Sequence, residues 1–199
     1  MERYHHGELK SVLIEKGIEM ISKSGIENFS MRKLADRCGV SSGAPFRHFE
    51  NIDAFMESMA AHIIDNFTIE LKKSIFMEVN SHRKLQKIGK AYIHFFIVNP
   101  HYFKFLFYYS GIKINLNTLQ ENDYPPLTIF VECIYDILNQ LQVPEKNFDK
   151  NIIAIWSLVH GIASLATNEN IAYVGNWEEI LVNSMLSIDG LGDSENEKT

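Results

Sequence analysis

Residues 30–49 read Ser30-Met31-Arg32-Lys33-Leu34-Ala35-Asp36-Arg37-Cys38-Gly39-Val40-Ser41-Ser42-Gly43-Ala44-Pro45-Phe46-Arg47-His48-Phe49, and this stretch decides the fold. Ser30 suits an N-cap; Met31, Leu34, Ala35 and Cys38 then share one helical face, with Arg32, Lys33, Asp36 and Arg37 on the other. Gly39 stops that helix. Ser41 or Ser42 offers a second cap, and Phe46 and Phe49, three apart, mark a very short following helix. Pro45 falls in or beside its first turn, where a missing N–H does little harm. Two short helices joined by Gly39-Val40-Ser41 spell a helix-turn-helix, whose second helix is the element that enters a DNA major groove.

Upstream, Leu9, Leu13, Gly17, Met20 and Ile21 recur at helical spacing, and Gly25 then offers a left-handed cap with Ile26 folding back onto the last turn. Downstream, Asn51 or Asp53 opens a long helix carrying Phe55, Met59, Ile63, Phe67, Leu71 and Ile75. Further helices are predicted at about 82–98, 100–110, 123–142, 147–168 and 176–188, separated by Asn99-Pro100, Tyr124-Pro125-Pro126, Val143-Pro144 and Val174-Gly175-Asn176. No stretch reads as a strand, so the fold class is all-α. The polar run 189–199 reads as a disordered tail.

The 199 residues are 46% apolar, enough for a substantial core. A net charge of −6 speaks against a chain coated in basic charge for indiscriminate nucleic-acid binding. Charge is local instead: residues 28–49 carry Arg32, Lys33, Arg37 and Arg47 against Asp36 alone. Cys38 and Cys133 sit in apolar patterns as small buried hydrophobes, which fits a reducing cytoplasm. The polar N-terminus shows no apolar core of a signal peptide, and the apolar run 92–109 is broken by His94, Asn99, Pro100, His101 and Lys104, so neither export nor a membrane span is expected.

In order and at this spacing, Tyr4-His5-His6-Gly7, Gly25-Ile26-Glu27-Asn28-Phe29-Ser30-Met31-Arg32-Lys33-Leu34-Ala35, Gly39-Val40-Ser41 and Phe46-Arg47-His48-Phe49 resemble the tetracycline-repressor (TetR) family of bacterial transcription regulators. Trp156-Ser157-Leu158-Val159-His160-Gly161 is similar to a tryptophan-histidine-glycine signature in the C-terminal domain of one TetR subgroup. The resemblance implies an N-terminal three-helix DNA-binding domain over 1–52 and a helical effector-binding and dimerisation domain over 53–188. It also implies a regulator, most often a repressor, that leaves a palindromic operator when a small molecule binds. Two positions depart from the family pattern at phosphate contacts: Phe46 stands where tyrosine is usual, and Ile52 where a lysine commonly begins the fourth helix.

Chemistry assigns the DNA-facing roles. Ser42, Gly43 and Ala44 are small enough for close approach to base edges. Ser30 and Ser41 at helix starts, together with Arg32, Phe46, Arg47, His48 and, in the N-terminal arm, Arg3, complete the expected interface. Nine of the eighteen residues in 92–109 are aromatic, more than one buried face needs, so some are expected to line a cavity or an interface. The candidate effector residues are Tyr92, Phe96, His101, Phe105, Trp156 and His160, in a site suited to an apolar or flat aromatic ligand. The apolar helices at about 147–168 and 176–188 are expected to meet their symmetry mates in a homodimer. No metal-ligand spacing, phosphate loop or carboxylate cluster is present, so neither enzyme activity nor a cofactor is expected. The rival reading is a helical protein–protein adaptor with a vestigial helix-turn-helix.

Overall fold

The computed structural model describes residues 6–119 and 124–188. It contains α1 (His6–Ser24), α2 (Met31–Arg37), α3 (Ile52–Ile75), α4 (Ser81–Val98), α5 (Pro100–Lys104), α6 (Pro125–Gln140), α7 (Phe148–Ala166) and α8 (Trp177–Ile188), with no strand among the described residues. The fold is all-α, as the periodicity predicts. Arg3 and the tail 189–199 lie outside the described residues.

Local signals account for most boundaries. The Ser30 hydroxyl accepts a hydrogen bond from the Lys33 N–H at 3.2 Å, and Asn51 Oδ1 does the same for Ala54 at 2.9 Å. At the end of α2, Gly39 has φ +68°, its N–H reaches Asp36 O at 3.2 Å, and Val40 N–H reaches Ala35 O at 3.0 Å. That pair of bonds is a Schellman closure, and it turns the chain sharply toward the next element. Gly25, with φ +80°, ends α1 as expected. Ile26, however, is exposed rather than folded back, because it opens a separate 3-10 turn, Ile26–Asn28.

The chain divides into two compact units, Met1–Asp65 with Asn99–Lys113, and Asn66–Val98 with Ile114–Thr199. The expected domain border after residue 52 falls inside the first unit, for two physical reasons. First, α3 begins by burying Phe55 and Met59 where α1 offers only the hydrogen of Gly17: a Cβ there would lie 2.4 Å from Phe55 Cζ and 2.9 Å from Met59 Sδ. Second, α5 is fastened to α1, the buried Ser22 hydroxyl donating to the His101 carbonyl at 2.8 Å. Phe29 stacks on Phe55 with ring centroids 5.7 Å apart, and Phe49 meets Phe55 edge-on at 4.6 Å. One aromatic cluster thus holds both flanks of the helix-turn-helix.

In the second unit α4 packs against α6, α7 and α8. Its buried Tyr92, Phe95 and Phe96 surround Phe67, all with centroids within 4.9 Å of it. α6 starts at Pro125, as a helix whose first N–H needs no partner. It buries Leu127, Phe130, Ile134 and Ile137 on one side, while α7 buries Ile152, Ile155, Val159 and Ile162.

Gly17→Ala brings a methyl group into a fully buried ring that has no room to yield. Overpacking of about 1–3 kcal/mol outweighs the helix-propensity gain of about 1 kcal/mol. Chemical denaturation is expected to show Gly17→Ala less stable than the parent, and an equal or higher midpoint would refute the tight α1–α3 crossing.

Candidate functional site

The second element of the helix-turn-helix is shorter than its sequence suggests. Ser41 does not cap a helix with its side chain; its carbonyl instead closes a turn with Ala44 N–H at 2.9 Å. Pro45 has no N–H to continue the helical ladder back to Ser41, so a new turn, Pro45–Arg47, begins there. Phe49 N–H then reaches the Pro45 carbonyl at 3.0 Å and completes a single helical turn.

This geometry sorts the expected contact residues. Ser41, Ser42, Gly43, Phe46 and Arg47 are exposed, as is Arg32 on α2. Ala44, expected among the residues close to base edges, is buried with Pro45 and Phe49, because the turn puts its methyl group on the inner face. Ser30 and His48 are half-buried, the Ser30 oxygen being engaged as the α2 cap and the His48 ring set against Phe49. Lys33 folds back to the Asn28 carbonyl at 2.8 Å, and Lys10 lies 5.8 Å from the centre of the Phe49 ring. Phe46 is 55% exposed and Ile52 39%, so both departures from the family pattern present apolar surface where a polar side chain is usual.

A polar cluster that the sequence gives no sign of joins α1, α3 and α5 within the same unit. Glu15 Oε1 accepts from the Tyr102 hydroxyl at 2.5 Å and lies 2.7 Å from His62 Nε2. The hydrogen bond from His62 holds the Glu15 carboxyl below the usual carboxylate range, with the Tyr102 bond adding to it and partial burial opposing it. Burial and the neighbouring Glu15 push the Tyr102 phenol upward. These three residues lie 40 to 87 positions apart, beyond the reach of any spacing argument.

The six candidate effector residues divide between the two units. Tyr92, Phe96, Trp156 and His160 come together in the second. The Tyr92 hydroxyl lies 2.9 Å from His160 Nδ1, the Trp156 and His160 rings are 5.2 Å apart, and Tyr92 and Phe96 are 5.4 Å apart. The indole Nε1 of Trp156 is also buried. His101 and Phe105 belong to the first unit, where the His101 carbonyl receives Ser22 and Phe105 is fully buried. A groove of about 300 Å³ in the second unit is lined by Leu119, Thr128, Val131, Glu132, Tyr135 and Asp136, none of them among the expected six. Among the described residues no group of His, Cys, Asp and Glu could hold a metal ion, and no helix is long and apolar enough to cross a membrane.

Comparison with known proteins places these features together. Residues 13–59 match the model for bacterial regulatory proteins of the tetR family, and residues 85–185 match that of the tetracyclin repressor-like C-terminal domain. The chain belongs to the TetR family. The match is to a family of transcription regulators, with the helix-turn-helix in the first matched segment and the Tyr92, Trp156 and His160 cluster in the second. No curated protein matches the chain. Among solved structures, the TetR-family regulator PfmR from Thermus thermophilus is 14% identical, with a TM-score of 0.63 over 94% of this chain and 99% of that one. A tetR-family regulatory protein from Rhodococcus RHA1 is 13% identical, with a TM-score of 0.65 over 89% and 93% of the two chains. A protein of unknown function from Rhodococcus sp. RHA1 is 18% identical, with a TM-score of 0.69 over 94% and 96%. At these identities the likeness is one of fold.

Burial lowers the affinity of His160 for a proton below that of an ordinary imidazole. The unfolded chain therefore takes up a proton at His160 before the folded one does. The stability this contributes is complete above the ordinary pKa of about 6.5 and is lost as pH falls through the lower folded value. Thermal unfolding at pH 7.5 and 5.5 is expected to show a smaller drop for His160→Gln than for the parent. An unchanged drop would remove His160 from the pH response.

Proposed function

We propose that this chain is a homodimeric, effector-responsive DNA-binding regulator that acts in the cytoplasm, as a repressor where its operator overlaps a promoter. The observation that carries the reading is the outer face of the helix-turn-helix. Ser41, Ser42, Gly43, Phe46 and Arg47 face solvent together on an element whose inner face, Ala44, Pro45 and Phe49, is locked into the core. A rigid element with small and cationic exposed residues suits docking in a major groove, with Arg32 and Arg47 on phosphates or base edges. The N-terminal arm with Arg3 extends the same proposed footprint.

Support for a dimer lies on α7 and α8. Leu158 is half-buried, Leu165 is exposed, and no atom lies within 4 Å of where a Gly161 side chain would start, which leaves room for a second helix to approach. On α8, Ile180 and Val182 are half-buried. Pairing of α7 and α8 with their symmetry mates forms a four-helix interface and sets two recognition elements one turn of DNA apart, about 34 Å. The effector is read as an apolar or aromatic molecule held near Tyr92, Phe96, Trp156 and His160, where rings surround a hydroxyl, an imidazole and an indole N–H. This reading leaves catalysis no part.

Duplexes selected by the purified protein from a random library, followed by titration against salt, test the proposal. A palindromic site is expected, bound by a dimer in sedimentation experiments. Arg32→Ala and Arg47→Ala should each weaken binding and flatten the salt dependence by about one unit of slope where the lost contact is to phosphate. Failure to retain any duplex at low salt rejects the regulator reading and leaves the adaptor.

A further inference from the structure

Three phenylalanines of the helix-turn-helix region, Phe29, Phe49 and Phe55, form one buried cluster, and a fourth stands outside it. Phe46 is 55% exposed on the single turn Pro45–Arg47, beside exposed Ser42 and Gly43. Its neighbours are too small to shield it, and no atom comes within 4 Å of where a Gly43 side chain would start. Nothing in the chain's own packing calls for a large apolar ring at this place, since the inner face of the turn is already filled by Ala44, Pro45 and Phe49.

A benzyl side chain has no hydrogen-bond donor or acceptor, so a hydrated phosphate gives it little to bind. The major groove offers one apolar group, the C5-methyl of thymine, and phenylalanine is among the side chains that contact it. Resting on the DNA-binding reading above, we infer that Phe46 is a specificity-determining residue that packs on a thymine methyl group in each half-site. The ring then loses solvent contact on binding, and discrimination falls on a single methyl group rather than on a hydrogen-bond pattern. Arg47, next to it and also exposed, supplies charge without that discrimination.

Deoxyuridine differs from thymidine only by that methyl group. Starting from a duplex selected by the full-length protein, each thymine is replaced singly, in both half-sites, by deoxyuridine, and affinity is read by fluorescence anisotropy. One symmetry-related position is expected to lose about four-fold per methyl group removed. Phe46→Ala, whose side chain is exposed and whose fold is checked by circular dichroism, should bind the thymine and uracil duplexes equally. Phe46→Leu, still apolar, should keep part of the difference. The inference is overturned if no position responds to loss of the methyl group, or if Phe46→Ala preserves the full response. Absence of any selected duplex is a separate outcome: it overturns the DNA-binding reading, and this inference with it.

Discussion

The crossing of α1 over the start of α3 at Gly17 is the contact on which the first unit is built. Where Gly17 has only a hydrogen, Phe55 and Met59 fill the space, and both are fully buried. That placement of Phe55 puts its ring between Phe29, which precedes α2, and Phe49, which follows the recognition turn. The two ends of the helix-turn-helix are therefore pinned to one ring. Each buried phenylalanine is worth roughly 1.5–3 kcal/mol relative to exposure, so reorienting the motif without breaking the cluster is unfavourable. A DNA reader needs that stiffness, because groove contacts made by one turn of helix tolerate little angular error.

Pro45 sets the length of that turn. A serine-capped helix running from Ser41 would need an N–H at residue 45, and proline has none. The chain resolves the conflict with a tight turn at 41–44 and a fresh start at Pro45, which rotates the Ala44 methyl group inward and leaves Phe46 and Arg47 outward. The exposed set thus follows from backbone hydrogen bonding rather than from side-chain preference. It also explains why Ala44, small enough for a base edge by composition, has its methyl group on the inner face of the turn.

The helices were legible because their signals are local. Ser30, Asn51, Gly25, Gly39 and the prolines at 100 and 125 act within a few residues of the boundary each one fixes. Spacing of three and four then places the buried faces, from Leu13 and Ile21 on α1 to Ile152 and Val159 on α7. Two kinds of feature were not legible. The segment read as one helix over 100–110 changes at Phe105–Tyr109 into a π turn, closed by Ser110 N–H on the Phe105 carbonyl at 2.9 Å, and its run of aromatic residues carries no local mark of the extra residue. The Glu15, His62 and Tyr102 cluster depends on which faces of α1, α3 and α5 meet, a tertiary fact. The same limit explains the divided effector residues. Aromatic density marked 92–109 as one stretch, but Asn99-Pro100 redirects the chain, so Tyr92 and Phe96 join one core while His101 and Phe105 join the other.

The second unit also sets polar groups among rings, at Tyr92, Trp156 and His160. A core made only of phenylalanine and aliphatic side chains would be simpler to stabilise, since a buried hydroxyl or imidazole loses its hydration and recovers it only through a well-made hydrogen bond. Tyr92 and His160 make such a bond across α4 and α7, and burial then keeps the phenol protonated and the imidazole neutral. In that state neither group carries a charge that must be kept paired, so one hydrogen bond between them meets the need that burial creates. Phe67, Phe96 and Phe130 around it supply apolar contact without competing for that hydrogen bond.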